Sequence, residues 1–115
     1  WRRMIYLFKI RQEQDAVFGS FDCPDGNQVI PTRSRSTTPL QALNLFNSRF
    51  TMQQAQKLTE RLGANADRVP KTYELLYNRP ATSDEIRDAE KFIKDHNFLA
   101  FCRAMLNTSE FLFIF

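Results

Sequence analysis

The stretch Asp22-Cys23-Pro24-Asp25-Gly26-Asn27 places three oxygen-bearing side chains close together. A calcium ion takes about six to eight oxygen ligands, and a turn can gather several of them. The spacing is not that of the helix–loop–helix calcium loop, and no bidentate Glu closes it. Asp and Asn beside Pro and Gly more readily fold back on their own backbone, so the stretch reads as a turn. Further on, Arg33 and Arg35 alternate with Ser34 and Ser36 just ahead of a helix start. That strip could cradle phosphate or sulfate, because helix N-termini attract anions. Forked pairing of the arginines with Asp22 or Asp25 across the loop is the favoured alternative. Asp22, Asp25, Arg33 and Arg35 therefore form the candidate cluster, structural or ligand-holding.

Other chemistry-bearing residues point away from catalysis. His96 is the sole histidine, so neither a catalytic triad nor a multi-histidine zinc site can be built around it. It falls in the last turn of a helix, where a cation is mildly favoured, and reads as a surface residue. There is no Cys-x-x-Cys-His for covalent haem and no glycine-rich phosphate loop. Glu85, Asp88, Glu90 and Asp95 share their helix with Arg and Lys; such mixed faces are normally solvated. No cofactor is implied. Cys23 and Cys102 are the only cysteines. A disulfide between them is possible in an oxidising compartment, but two buried or unpaired thiols are favoured.

The elements that must position these residues follow from patterning. The 115 residues allow at most one domain with a modest core, which a few of the 11 Phe, once buried, can hold together. A net charge of +3 with interleaved acids and bases gives no nucleic-acid footprint. No apolar run approaches the roughly 18 residues that span a bilayer, so membrane insertion is not expected. Trp1-Arg2-Arg3 lacks an initiator Met and a signal-peptide pattern, as if excised from something longer. Phe111-Leu112-Phe113-Ile114-Phe115 is apolar enough that docking on the core, or on a missing portion of a parent, is expected.

Met4 to Ile10 suits a strand or a buried helical turn equally. Phe18 to Thr32, punctuated by Gly19, Pro24, Gly26 and Pro31, reads as an irregular connector. From there the chain reads as helices. Thr38 caps and Pro39 starts the first, which carries Leu40, Leu43 and Phe46. Asn47-Ser48 offers a break. Thr51 to Leu62 aligns Ala55, Leu58 and Leu62, with Gly63 as its cap. Asp67 to Asn78 carries Val69, Tyr73, Leu76 and Tyr77, with Pro70 tolerated in the first turn. Thr82-Ser83-Asp84-Glu85 matches a capping box ahead of Ile86, Ala89 and Ile93. Asn97 caps a last helix with Phe98, Cys102 and Met105. The expected fold is mainly α: four or five short helices in a small bundle (38–115) after an irregular or extended N-terminal third (1–37). It forms a single domain, or the C-terminal portion of a larger one.

Several segments in order resemble one family. They are Arg3-Met-Ile-Tyr-Leu-Phe, Phe21-Asp-Cys-Pro-Asp, Arg33, Thr37-Thr-Pro-Leu-Gln-Ala-Leu with Leu45 and Asn47, Tyr77-Asn-Arg-Pro-Ala-Thr with Glu85, and Leu106-Asn-Thr-Ser-Glu-Phe-Leu. Together they are similar to the C-terminal half of the planctomycete-specific (PSD-type) domain of unknown function. That domain commonly lies downstream of a cytochrome c domain in large exported proteins. One departure is that Thr32-Arg33-Ser34-Arg35 spaces arginines that the family often pairs.

The resemblance implies an extracytoplasmic location, periplasmic or secreted, and brings no activity and no catalytic residues. The expected role is a structural or interaction module whose partner is the remainder of the parent polypeptide. The alternative is part of a composite enzyme or ligand site acting on an extracellular substrate such as polysaccharide. The sequence gives no oligomeric state.

Overall fold

The computed structural model describes Tyr6, Phe8, residues 19–22, 31–32, Ser36 and residues 38–113. These residues contain six α-helices, a 3-10 turn at Gly19–Phe21, and no strand. The mainly α expectation therefore holds. The helices are α1 (Pro39–Asn47), α2 (Arg49–Leu62), α3 (Arg68–Tyr77), α4 (Ser83–Asp95), α5 (Phe98–Met105) and α6 (Ser109–Leu112). The chain divides into two compact units, Trp1–Asn44 and Leu45–Phe115. The strand-or-helix alternative for Met4–Ile10 lies outside the described residues, apart from exposed Tyr6 and Phe8. Cys23 lies outside them as well.

In the first unit, the start of α1 is fixed by reciprocal bonds. The Gln41 N–H donates to Thr38 Oγ1, and the Thr38 N–H donates to Gln41 Oε1, each at 3.3 Å. This is a capping box with Gln in the role Glu often takes. Thr38 does cap the helix, as its sequence position predicts. The face that α1 buries is different from the one its apolar residues suggest. Gln41 is buried, while Leu40 and Leu43 are 69% and 59% exposed. The side chain of Gln41 is held inward because both ends of its amide are bonded. Its Nε2 also donates to Ser36 Oγ at 3.1 Å.

The second unit holds the core. One apolar stripe from each of four helices meets there: Ala55, Leu58 and Leu62 of α2, Val69 and Tyr73 of α3, Ala89 of α4, and Phe98, Phe101, Cys102 and Met105 of α5. Helix α2 packs chiefly against α5; α4 lies against both α3 and α5. The ends of these helices are chemically specified. Ser48 breaks the chain after α1 and its Oγ accepts the Thr51 N–H. Gly63 ends α2 at φ 60 and ψ −159, a combination that only glycine adopts without strain. Asn97 caps α5 by accepting the Ala100 N–H at 2.7 Å. The last turn of α1 is tied down by Arg103. Its Nε donates to the Phe46 carbonyl, its Nη2 donates to Asn47 Oδ1, and its guanidinium carbon lies 4.1 Å from the centre of the Phe46 ring.

The four-residue helix α6, which periodicity did not predict, packs on α3. It buries no residue, and Phe111 and Phe113 are 41% and 54% exposed. The expected docking of this aromatic segment is thus partial in residues 111–113. No helix among the described residues is long and apolar enough to cross a membrane.

Candidate functional site

Among the described residues, the densest polar arrangement forms where α3 gives way to α4. Tyr77 ends α3, and Asn78 reverses the chain in the left-handed region, φ 55, which Asn tolerates better than most residues. Its N–H closes the helix on the Glu74 carbonyl. Arg79 and Pro80 then run toward Thr82, the N-cap of α4. Thr82 Oγ1 accepts the Glu85 N–H at 3.3 Å, and Glu85 Oε2 accepts the Thr82 N–H at 2.7 Å. The capping box read from the sequence is therefore formed, and it fixes the Glu85 carboxylate beside Arg79.

Arg79 binds two carboxylates at once. Its Nη2 and Nη1 donate to Glu85 Oε1 and Oε2 at 2.7 and 3.0 Å. Its Nε and Nη2 donate to Glu110 Oε1 and Oε2 at 2.6 and 2.9 Å. A further Nη1 bond reaches the Pro80 carbonyl at 3.2 Å. A guanidinium has five N–H donors in a fixed fork, and these five bonds use them all. The guanidinium carbon also lies 5.4 and 5.6 Å from the ring centres of Tyr73 and Tyr77. The two rings meet edge to face at 5.4 Å. The Tyr77 hydroxyl is 2.7 Å from Thr108 Oγ1 and donates to the Met105 carbonyl at 3.3 Å. That anchors the entrance of α6.

Charge follows this geometry. The Arg79 guanidinium, followed by the Thr82 N–H, holds the Glu85 carboxyl down at about 2. The same guanidinium lowers Glu110. Bonding to Glu110 and Glu85 raises Arg79 further above an ordinary arginine. Burial pushes the Tyr73 and Tyr77 phenols up, the nearby Glu85 carboxylate adding to it at Tyr73. At neutral pH both carboxylates are thus ionised and both phenols protonated, and none is poised to exchange a proton. The arrangement works as an ionic cross-link between the α3–α4 turn and α6. Glu85, expected to be solvated, is paired instead, because the turn brings Arg79 back over the first turn of its helix.

The residues singled out in the sequence fall elsewhere. Asp22 sits at φ 53, and its Oδ2 accepts both the N–H and the hydroxyl of Ser36, at 2.7 and 2.8 Å. Ser36 in turn accepts from Gln41. A separate bond in the same unit runs from Asn44 Nδ2 to Ser20 Oγ at 2.9 Å. Asp25, Arg33 and Arg35 lie outside the described residues. His96 is the exposed C-cap of α4, its ring tilted against Phe92 at 4.6 Å. Cys102 is a buried free thiol, raised by that burial. Among the described residues no group of three or more His, Cys, Asp or Glu converges as a metal site would require. A depression of about 460 Å³ lies between the α2–α3 turn and α4, with Asn65, Arg68, Glu90 and Lys94 on its walls.

The sequence carried a local signal for the Arg79 site: an arginine in a short Asn-Arg-Pro turn just ahead of a capping box. Its second partner, 31 residues away at Glu110, lies in the Leu106–Leu112 segment of the family resemblance, but nothing there marks it as the partner of Arg79.

A protein-family profile described as "Protein of unknown function (DUF1553)" matches residues 1–93. The match takes in Asp22, the start of α1, Arg79 and Glu85, while Glu110 lies beyond it. No curated protein matches the chain, and no solved structure does.

Proposed function

We propose a structural role from one premise: the chain belongs to the DUF1553 family of proteins of unknown function. In this reading it is a non-catalytic structural or interaction module of a larger extracytoplasmic bacterial protein. Its partner is the remainder of the parent polypeptide. The finer assignment, to the planctomycete-specific domain that accompanies cytochrome c domains in exported proteins, rests on the order of the sequence motifs. Any redox chemistry would then belong to the parent's haem domain.

The observation that carries the structural reading is the saturation of Arg79. All five of its donors are spent on Glu110, Glu85 and Pro80. Carboxylates locked in their charged form hold a fold together and make poor proton donors. The exposed apolar side chains Leu40 and Leu43 of α1 add surface that an interaction module can use.

The test is to produce residues 1–115 and the remainder of the parent as separate polypeptides and measure their association by calorimetry. The expected result is a one-to-one complex. Two parts that remain apart when mixed would overturn the reading. Fractionation of the native cells checks the location, and recovery with the cytoplasm would count against it.

A further inference from the structure

We propose that the outer edge of the Arg79 guanidinium is a carboxylate-binding slot, which Glu110 fills in cis and an acidic peptide segment of a partner can take over. The two carboxylates on Arg79 are held very unequally. Glu85 belongs to a 13-residue helix with Ala89 in the core, and it also accepts the Thr82 N–H. It is part of the scaffold. Glu110 belongs to a four-residue helix with no fully buried residue, only Leu112 being half-buried, and among the described residues its carboxylate bonds Arg79 alone. Its side chain is 46% exposed and that of Arg79 is 35% exposed.

So short a helix is marginal on its own, and a half-exposed ion pair adds little to it in water. Release of α6 would leave Arg79 in place, still fixed by Glu85 and by the Tyr73 and Tyr77 rings. The bond between Tyr77 and Thr108 holds the chain at the entrance of α6, so the hinge falls after Thr108. What release uncovers is Nε and Nη2, a parallel pair of donors on a rigid support. That is the geometry which recognises a carboxylate through two bonds, and lysine cannot reproduce it. The cis occupant defines the ligand: a glutamate followed by apolar residues, as in Glu110-Phe111-Leu112.

The slot rests on the interaction-module reading for the source of that peptide, and it has its own test. The probe is the amidated, acetylated tetrapeptide Ser-Glu-Phe-Leu, the sequence of residues 109–112. It is titrated into the full chain and into Glu110→Gln, following the Arg79 Nε–Hε resonance. Glu110→Gln keeps every core residue and the Glu85 bonds, so the fold is retained. With its internal competitor weakened, Glu110→Gln should bind the peptide about tenfold tighter than the unaltered chain. A peptide with Gln in place of Glu should bind neither. Equal binding of the Glu and Gln peptides, or no gain from Glu110→Gln, overturns the slot. If the parent's remainder still associates with the chain in that case, the slot alone has failed.

Discussion

Arg79 does with one side chain what a lysine could not. Five directed donors serve two carboxylates and a carbonyl, while the planar group rests on two aromatic rings. Arg79→Lys keeps the charge and removes the fork. The thermal midpoint should drop by several degrees, and the Glu85 carboxyl, followed by NMR, should rise toward the ordinary glutamate range. An unchanged Glu85 titration would show that its low value comes from the Thr82 N–H alone. Gly63 is a residue-scale case of another kind. A methyl group there would meet nothing nearer than Asn65 Nδ2 at 4.0 Å, so space is not the constraint. Its φ of 60 is, and Gly63→Ala should cost about 1–3 kcal/mol in urea denaturation. Gly63 was readable in the sequence because a glycine after an apolar stripe has a local meaning. Glu110 was not, because nothing around it announces a partner so far away in the chain.

The helices were legible in proportion to how much of their specification is local. Helices α2, α4 and α5 each combine a side-chain cap with an apolar stripe; α4 and α5 fall where those signals put them, while α2 begins at Arg49 and not at Thr51, because Ser48 caps it. The capping box of α4 is a measurable part of this. Thr82→Ala should destabilise the fold by about 0.5–2 kcal/mol, whereas Thr82→Ser, which keeps the accepting oxygen, should cost much less. Equal losses for both would point to the threonine methyl instead. The α2 stripe supports a larger expectation: Leu58, 8% exposed in the core, should cost about 2–5 kcal/mol when cut to alanine. Helix α1 misled because an apolar stripe says which residues share a face and not which face is covered. Its buried position went to Gln41, whose amide both completes the cap and reaches Ser36. Helix α6 was invisible because four residues are too few for a period to register. Of the candidate cluster, only Asp22 lies among the described residues. Its partner there is Ser36, a hydroxyl whose pairing with an aspartate has no charge pattern to reveal it.

For the molecule as a whole, the Arg79 site predicts how stability depends on pH. Glu85 titrates at about 2 in the folded chain, against an ordinary 4.5, and Glu110 is lowered in the same direction. An unfolded chain therefore takes up these protons before the folded one does. The stabilisation from Glu85 is complete above about pH 5 and is lost as the pH falls from about 4.5 through about 2, and Glu110 acts in the same direction. The tyrosines act at the opposite end. Tyr73 and Tyr77 hold their protons above the usual 10.0, so their contribution is present below that pH and lost as the pH climbs past it. A plateau between roughly pH 5 and 9 should result, bounded by carboxylates on one side and by the Cys102 thiol and the phenols on the other. Because Arg79, Glu85 and Glu110 are partly exposed, salt should make the acid limb shallower. The measurement is the urea midpoint at about pH 7, 4, 3 and 2, for the unaltered chain and for Glu85→Gln. The glutamine amide has no carboxylate to protonate, so the variant should start less stable near neutral pH and lose less on the way down. Two parallel acid limbs would place the acid sensitivity in other carboxylates, Glu110 among them, and remove Glu85 from its account.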